Sequence, residues 1–130
     1  LSGKGYVLSS VGEYTDNVAY TCYQALKSYM DDNEDVIINF TKAIQDSLDW
    51  VNTHTDMEVA LSIHKYFSET NIDVLANSIK RYRSINVWSN TTYLDEEEYK
   101  HLQDIIIAAN ELDKYMPYDT LVDHKYQIKK

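Results

Sequence analysis

The feature that most constrains this chain is the long interval between its punctuating residues. All three glycines fall within the first twelve positions, and the single proline is Pro117. Between Gly12 and Pro117 neither of the two strongest helix-disfavouring residue types interrupts the backbone. After Ala25 the apolar residues recur at spacings of three and four, the repeat of one helix face. Ile37, Phe40, Ile44, Leu48 and Val51 make one such stripe, and Val59, Ala60, Ile63 and Phe67 a second. Ile72, Leu75, Ile79 and Tyr82 make a third, and Tyr99, Leu102, Ile105, Ile106, Ala109 and Leu112 a fourth. Four main helices are therefore expected over 31–112, with 113–130 as a C-terminal tail.

The helix starts and stops have their own signals. Asp31-Asp32-Asn33-Glu34-Asp35 is read as a helix start, because Asp and Asn accept from free N–H groups and first-turn acids complement the macrodipole. A calcium loop would need alternating oxygen ligands, a central glycine and a distant Glu, and this cluster lacks them. Thr55-Asp56-Met57-Glu58 is a capping box, Asn71 is placed to cap the third helix, and Asp95 with Glu98 repeats the logic for the fourth. Leu94 and Tyr99 are spaced as a hydrophobic staple on that fourth helix. Asn110 stands where a helix end commonly requires a left-handed residue, and Pro117 prevents the tail from continuing as helix. Trp88 falls in a polar connection over 86–93.

The N-terminal portion reads differently. Residues 5–10 and 18–25 carry β-branched and aromatic types and are expected as two short strands, with a turn over 12–17 rich in Gly, Asp and Asn. Cys22 is the only cysteine, so no internal disulfide forms, and on a strand it is expected as a small buried hydrophobe. With 130 residues the chain is long enough for one modest core, and a formal net charge of −9 disfavours nucleic acid as a partner. There is no apolar run of membrane-spanning length and no secretory signal in these residues; Leu1 is expected to be a cut, processed or chosen end.

Catalytic chemistry is poorly represented. No glycine-rich phosphate loop is possible away from the N-terminus. His54, His64, His101 and His124 are scattered, without metal-ligand spacing on one helix, and His64 and His101 read as polar-face residues beside Lys65 and Lys100. The Glu96-Glu97-Glu98 run reads as a helix start, since a catalytic carboxylate would need burial to tune it. No catalytic residue, metal ligand or cofactor is assigned, and the chain is expected not to be an enzyme. Asn39-Phe40-Thr41 and Asn90-Thr91-Thr92 match the glycosylation sequon, a motif frequent by chance.

One ordered series runs through nearly the whole chain, from Gly5 to about His124. It comprises Gly5 to Tyr14, Val18-Ala19-Tyr20-Thr21, Asn39-Phe40-Thr41-Lys42-Ala43-Ile44, Trp50-Val51 and the Phe67 region. It continues with Lys80-Arg81-Tyr82, Trp88, Glu111-Leu112 and Pro117 to Val122. The series resembles the C-terminal part of extracytoplasmic solute-binding proteins of ABC importers, in the nitrate, sulfonate, taurine and thiamine-precursor (pyrimidine) group. Ala19 stands where such sequences often carry Pro, and Asn110 where they tend to carry Gly.

The resemblance implies an α/β parent fold, periplasmic-binding-protein-like type II, with two lobes closing on a ligand. Residues 1–25 would then be crossing strands, and the chain a fragment holding half a cleft. Ser10, Glu13 and Tyr20 become the ligand-binding candidates, as a hydroxyl, a carboxylate and an aromatic face near a lobe junction. The implied partners are a small polar solute in the intact protein and a membrane permease. The implied location is extracytoplasmic, periplasmic or lipid-anchored at the cell surface, with membrane attachment only through a lipid anchor outside this chain. Apolar surface left bare would favour a dimer of the isolated chain. The alternative is a self-contained helical protein-interaction domain. A third reading, an enzyme of the same fold in pyrimidine synthesis, would need a nucleophile or metal cluster that this segment lacks.

Overall fold

The computed structural model describes residues 5, 6, 8–11, 14, 18, 19 and 21–130. Six α-helices make up its regular structure: α1 (Lys27–Asp32), α2 (Glu34–Thr53), α3 (Asp56–Ile63), α4 (Ile72–Ser84), α5 (Glu96–Ala108) and α6 (Tyr118–Leu121). A 3-10 turn, His64–Tyr66, follows α3. The four expected helices are α2 to α5; α1 and α6 are short additions at either side of them.

The helix boundaries follow local hydrogen-bond chemistry. At α3 the Thr55 amide donates to the Glu58 carboxylate at 2.8 Å while the Glu58 amide donates to the Thr55 hydroxyl at 3.3 Å, a complete capping box. Asn71 accepts from the Asp73 and Val74 amides to start α4, and Asp95 accepts from the Glu97 amide to start α5. Both α4 and α5 end on an asparagine in the left-handed region, Asn86 at φ 51° and Asn110 at φ 58°. In each case the two closing bonds of a Schellman motif are present, Val87 to Tyr82 and Asn86 to Arg83, then Glu111 to Ile106 and Asn110 to Ile107. The acidic cluster 31–35 straddles the break between α1 and α2. Asn33 does not cap α2 there; its amide turns back to donate to the Tyr29 carbonyl at 2.9 Å.

The two expected strands are not present among the described residues. Residues of 5–10 and 18–25 that are described are irregular, and no extended neighbour among the described residues pairs with them. β-Branched and aromatic side chains favour a pleated surface only where a ladder partner supplies the hydrogen bonds. Cys22 is correspondingly exposed and not a core residue. Pro117, expected only to stop the tail, sits at the N-cap position of α6, where its fixed φ of −60° suits a helix entry.

The apolar core lies between α3 and α4. Val59, Ala60, Leu75 and Ile79 are buried, and Val51, Ile63, Ile72, Ala76 and Trp88 pack around them. Arg83, near the end of α4, donates to the Asp56 carboxylate and to the His54 carbonyl, each at 2.9 Å, locking the hairpin at its open end. Five members of the expected stripes, Phe40, Phe67, Tyr82, Ile105 and Ala109, are exposed and leave the core. Phe67 is half-exposed, because the 3-10 turn winds more tightly than an α-helix and rotates the next residue off the face. Tyr82 is also half-exposed and meets the edge of Trp88, whose ring seals the core from the connecting loop. His64, read as a polar-face residue, is half-buried, with Nε2 3.1 Å from the Thr70 carbonyl.

Outside that hairpin, Tyr126 is buried and Tyr93, Tyr99, Tyr118 and His124 pack ring against ring, and the remaining buried contacts are polar. Gln45 on α2 is buried; its amide donates to the Asn90 carbonyl and its carbonyl accepts from the Thr92 amide, both at 3.0 Å. Gln103 on α5 is buried in the same way, accepting from the Met116 amide at 2.6 Å and donating to the Met116 carbonyl at 3.2 Å. The C-terminal strap, 123–130, returns across the loop before α5. Ile128 donates to the Thr92 hydroxyl at 3.0 Å and accepts from the Thr91 hydroxyl, while Gln127 accepts from the Leu94 amide at 3.1 Å. Lys125 pairs with Glu34 at 2.8 Å and Lys130 pairs with Asp49, so the strap also grips α2.

Replacing Gln45 by Leu keeps the volume but strands one carbonyl and one amide. This substitution is expected to cost about 2 kcal/mol, comparable with about 3 kcal/mol for Ile79→Ala in the core. Urea unfolding checks both, with the exposed Gln24→Leu as the neutral comparison. A Gln45→Leu midpoint equal to that of the parent chain would contradict the clamp.

Candidate functional site

Of the three residues expected to line a cleft, Ser10 is half-buried and lies outside the helices. Glu13 and Tyr20 lie outside the described residues. Much of the described part of the same segment is exposed: Tyr6 and Leu8 fully, and Val11, Tyr14, Tyr23 and Leu26 by 74–81%, while Val18 and Ala19 are half-buried. Tyr23 meets the chain through the edge of Phe40, at 4.9 Å between ring centroids, and Phe40 is itself nearly half-exposed. Single exposed apolar residues are ordinary, but a concentration of them in one segment marks a surface that meets something else.

A concavity of about 350 Å³ lies between the first half of α5 and the segment leading into α6. Tyr99, Tyr115 and Tyr118 line it together with Glu96, Glu97 and Gln103. Each polar atom of its base has a partner. The Met116 carbonyl accepts from the Tyr99 hydroxyl at 3.1 Å as well as from Gln103, and the Tyr118 hydroxyl donates to the Leu94 carbonyl. Asp104 takes the Tyr115 hydroxyl at 2.5 Å and the Lys100 ammonium at 2.8 Å, and that ammonium stands 5.1 Å from the centre of the Tyr115 ring. Sequence reasoning missed this groove. Its tyrosines are spread over 99–118 and only the return of the tail onto α5 gathers them.

A second hollow is formed by 31–36 at the break between α1 and α2. It consists of the acidic cluster already read as a helix start. Among the described residues no group of three or more His, Cys, Asp or Glu side chains is arranged to hold a metal ion. No described helix is long and apolar enough to cross a membrane.

Burial raises the Tyr99 phenol and, together with Tyr93, Asp95 and Glu96, the Tyr118 phenol; the hydrogen bond to Asp104 and then burial raise Tyr115. The Asp104 carboxyl is held below its usual range by Lys100 and then Tyr115, and the Asp49 carboxyl by Lys130 and then Gln45. Raised phenols stabilise the fold below their unfolded value, about 10, and that contribution is lost as pH rises through the folded values. Lowered carboxylates do the reverse: their contribution is present above the ordinary carboxylate range and lost as pH falls through it. The urea midpoint is therefore expected to fall on both sides of neutrality, in the carboxylate range and above about pH 10. Phenolate absorbance should show a late-titrating fraction among the twelve tyrosines. A single uniform tyrosine titration would contradict the packing of Tyr99, Tyr115 and Tyr118.

No protein-family profile matches the chain, and no solved structure matches it. A curated protein of Bacillus subtilis (strain 168), named "Putative binding protein YtlA", is 37% identical over 121 residues. That alignment takes in 93% of this chain and 36% of the relative. The chain is thus related to a protein named for binding rather than for catalysis, and it spans about a third of that relative's length.

Proposed function

We propose that this chain is part of the ligand-binding receptor of an ABC importer, one that captures a small polar solute outside the membrane and delivers it to a permease. The observation that carries the reading is 37% identity over almost the whole chain to a protein named for binding. The ordered residue series from Gly5 to Val122 supports it independently, through its resemblance to the solute-binding proteins of such importers. The exposed apolar side chains between Tyr6 and Leu26 support it physically, since a segment that crosses to a second lobe would cover them there. In this reading ligand shifts an open–closed equilibrium by binding the closed state more tightly, and the closed state docks on the permease. Ser10, Glu13 and Tyr20 line the cleft from the crossing segment. The receptor is extracytoplasmic, either periplasmic or held at the cell surface by a lipid anchor outside this chain.

A cleft with one wall loses the contacts of the other. The isolated 130 residues are expected to bind nitrate, sulfonates and pyrimidines no more tightly than millimolar, measured by titration calorimetry. Micromolar binding by the isolated chain would contradict the half-cleft. Light scattering should find the chain dimeric, as bare apolar surface requires cover. A stable monomer that captures a protein partner and no solute would favour a helical interaction domain instead.

A further inference from the structure

The outer face of α2 carries an inference separate from the solute cleft and from the exposed N-terminal segment. We propose that this face docks the same face of a second copy of the chain, with the two α2 helices running antiparallel.

The rest of the fold grips α2 from the opposite side. Glu34 pairs with Lys125, Asp49 pairs with Lys130, and Gln45 holds loop 90–92. At 3.6 residues per turn those three side chains share one side of the helix. The other side carries Val36, Phe40, Ala43, Ser47 and Trp50, and all five are exposed. The edge of Tyr23 meets Phe40 there, yet Phe40 still keeps 44% of its surface open.

The spacing selects the kind of occupant. Val36, Phe40, Ala43, Ser47 and Trp50 follow one another at intervals of four, three, four and three, the repeat of a helix-pairing seam. That period keeps one helix against another along its length. The side chains are small in the middle of the seam, at Ala43 and Ser47, and large outside it, at Phe40 and Trp50. Antiparallel pairing about that middle sets Ala43 against the partner's Ser47 and Phe40 against the partner's Trp50. The small centre lets the backbones approach, and the rings fill the space towards the ends.

The charges select the direction. A parallel pair would bring two acidic helix starts together, where Asp32 and Asp35 form no ion pair among the described residues. An antiparallel pair separates those starts and opposes the two macrodipoles. It also faces the flank bearing Lys42 and Asp46 with the same flank of the second copy. Neither side chain forms an ion pair among the described residues, so the two-fold axis yields two equal Lys42–Asp46 pairs between copies. One face of a 20-residue helix is a small interface, so the dimer is weak, with a Kd of roughly 10–100 μM.

The test is sedimentation equilibrium of the 130-residue chain from about 5 μM to about 1 mM. A monomer–dimer equilibrium is expected, with a blue shift of Trp50 emission as concentration rises. Ala43→Glu places a good helix former at an exposed position, so circular dichroism should be unchanged while Kd rises at least about tenfold. Lys42→Glu should raise Kd about fivefold, and adding Asp46→Lys should restore it. Tyr6→Ser with Leu8→Ser, in the exposed N-terminal segment, should leave Kd unchanged. A chain monomeric throughout, a folded Ala43→Glu variant as dimeric as the parent, a dimer lost in Tyr6→Ser/Leu8→Ser, or no restoration by Asp46→Lys would each overturn the proposal. The receptor reading stands or falls separately, on its solute titration.

Discussion

Two buried glutamines, one on each long helix outside the core hairpin, hold this molecule together. A carboxamide offers one donor and one acceptor in the geometry of a peptide group, so it can clamp an irregular segment as a β-ladder would. Gln45 holds the loop 90–92 to α2, and Gln103 holds Met116 to α5. The buried apolar cluster spans only α3 and α4 with their near neighbours. Beyond it, these amides and the hydroxyls of Thr91 and Thr92 position the loops, while ion pairs to Glu34 and Asp49 and the packed rings of Tyr93, Tyr118 and His124 hold the C-terminal strap. Buried polar groups of this kind contribute little when paired and cost much when stranded, which makes the arrangement specific rather than merely sticky.

Much of the helical framework is legible in the amino-acid order. The Thr55–Glu58 box, the Asn71 and Asp95 caps and the left-handed Asn110 are local devices, and each operates within a few residues of its signal. The α3–α4 core follows from the apolar period. What the order hides is non-local. Gln45 and Gln103 carry no local signal of burial, because nothing beside them says that segments 45 and 13 residues away will return to them. Phe67 and Tyr82 continue their stripes in sequence, yet a 3-10 turn and the Trp88 ring take them off the face. The strands over 5–10 and 18–25 fail for a different reason. Residue type suggests extension, but a strand needs a neighbour, and the described chain offers none.

The candidate cleft was less legible than the fold. Ser10 is half-buried, whereas Glu13 and Tyr20 lie outside the described residues, so their joint role rests on the functional proposal. That proposal and the structure meet at the N-terminal segment. Tyr6, Leu8, Val11, Tyr14, Tyr23 and Leu26 are exposed there, and the related B. subtilis protein is nearly three times as long as the matched region. In the proposed receptor a second lobe would account for both facts through one cause, the covering of the exposed apolar residues between Tyr6 and Leu26 by chain that the relative has in addition. The helical hairpin, the amide clamps and the strap would then form the stable platform against which the other lobe moves.

The most direct test is to read the gene upstream of the Leu1 codon. The account predicts an open frame continuing for roughly two hundred codons, opening with a signal peptide and a lipobox cysteine. A start codon immediately before Leu1 would contradict it, and the self-contained helical interaction domain would take its place.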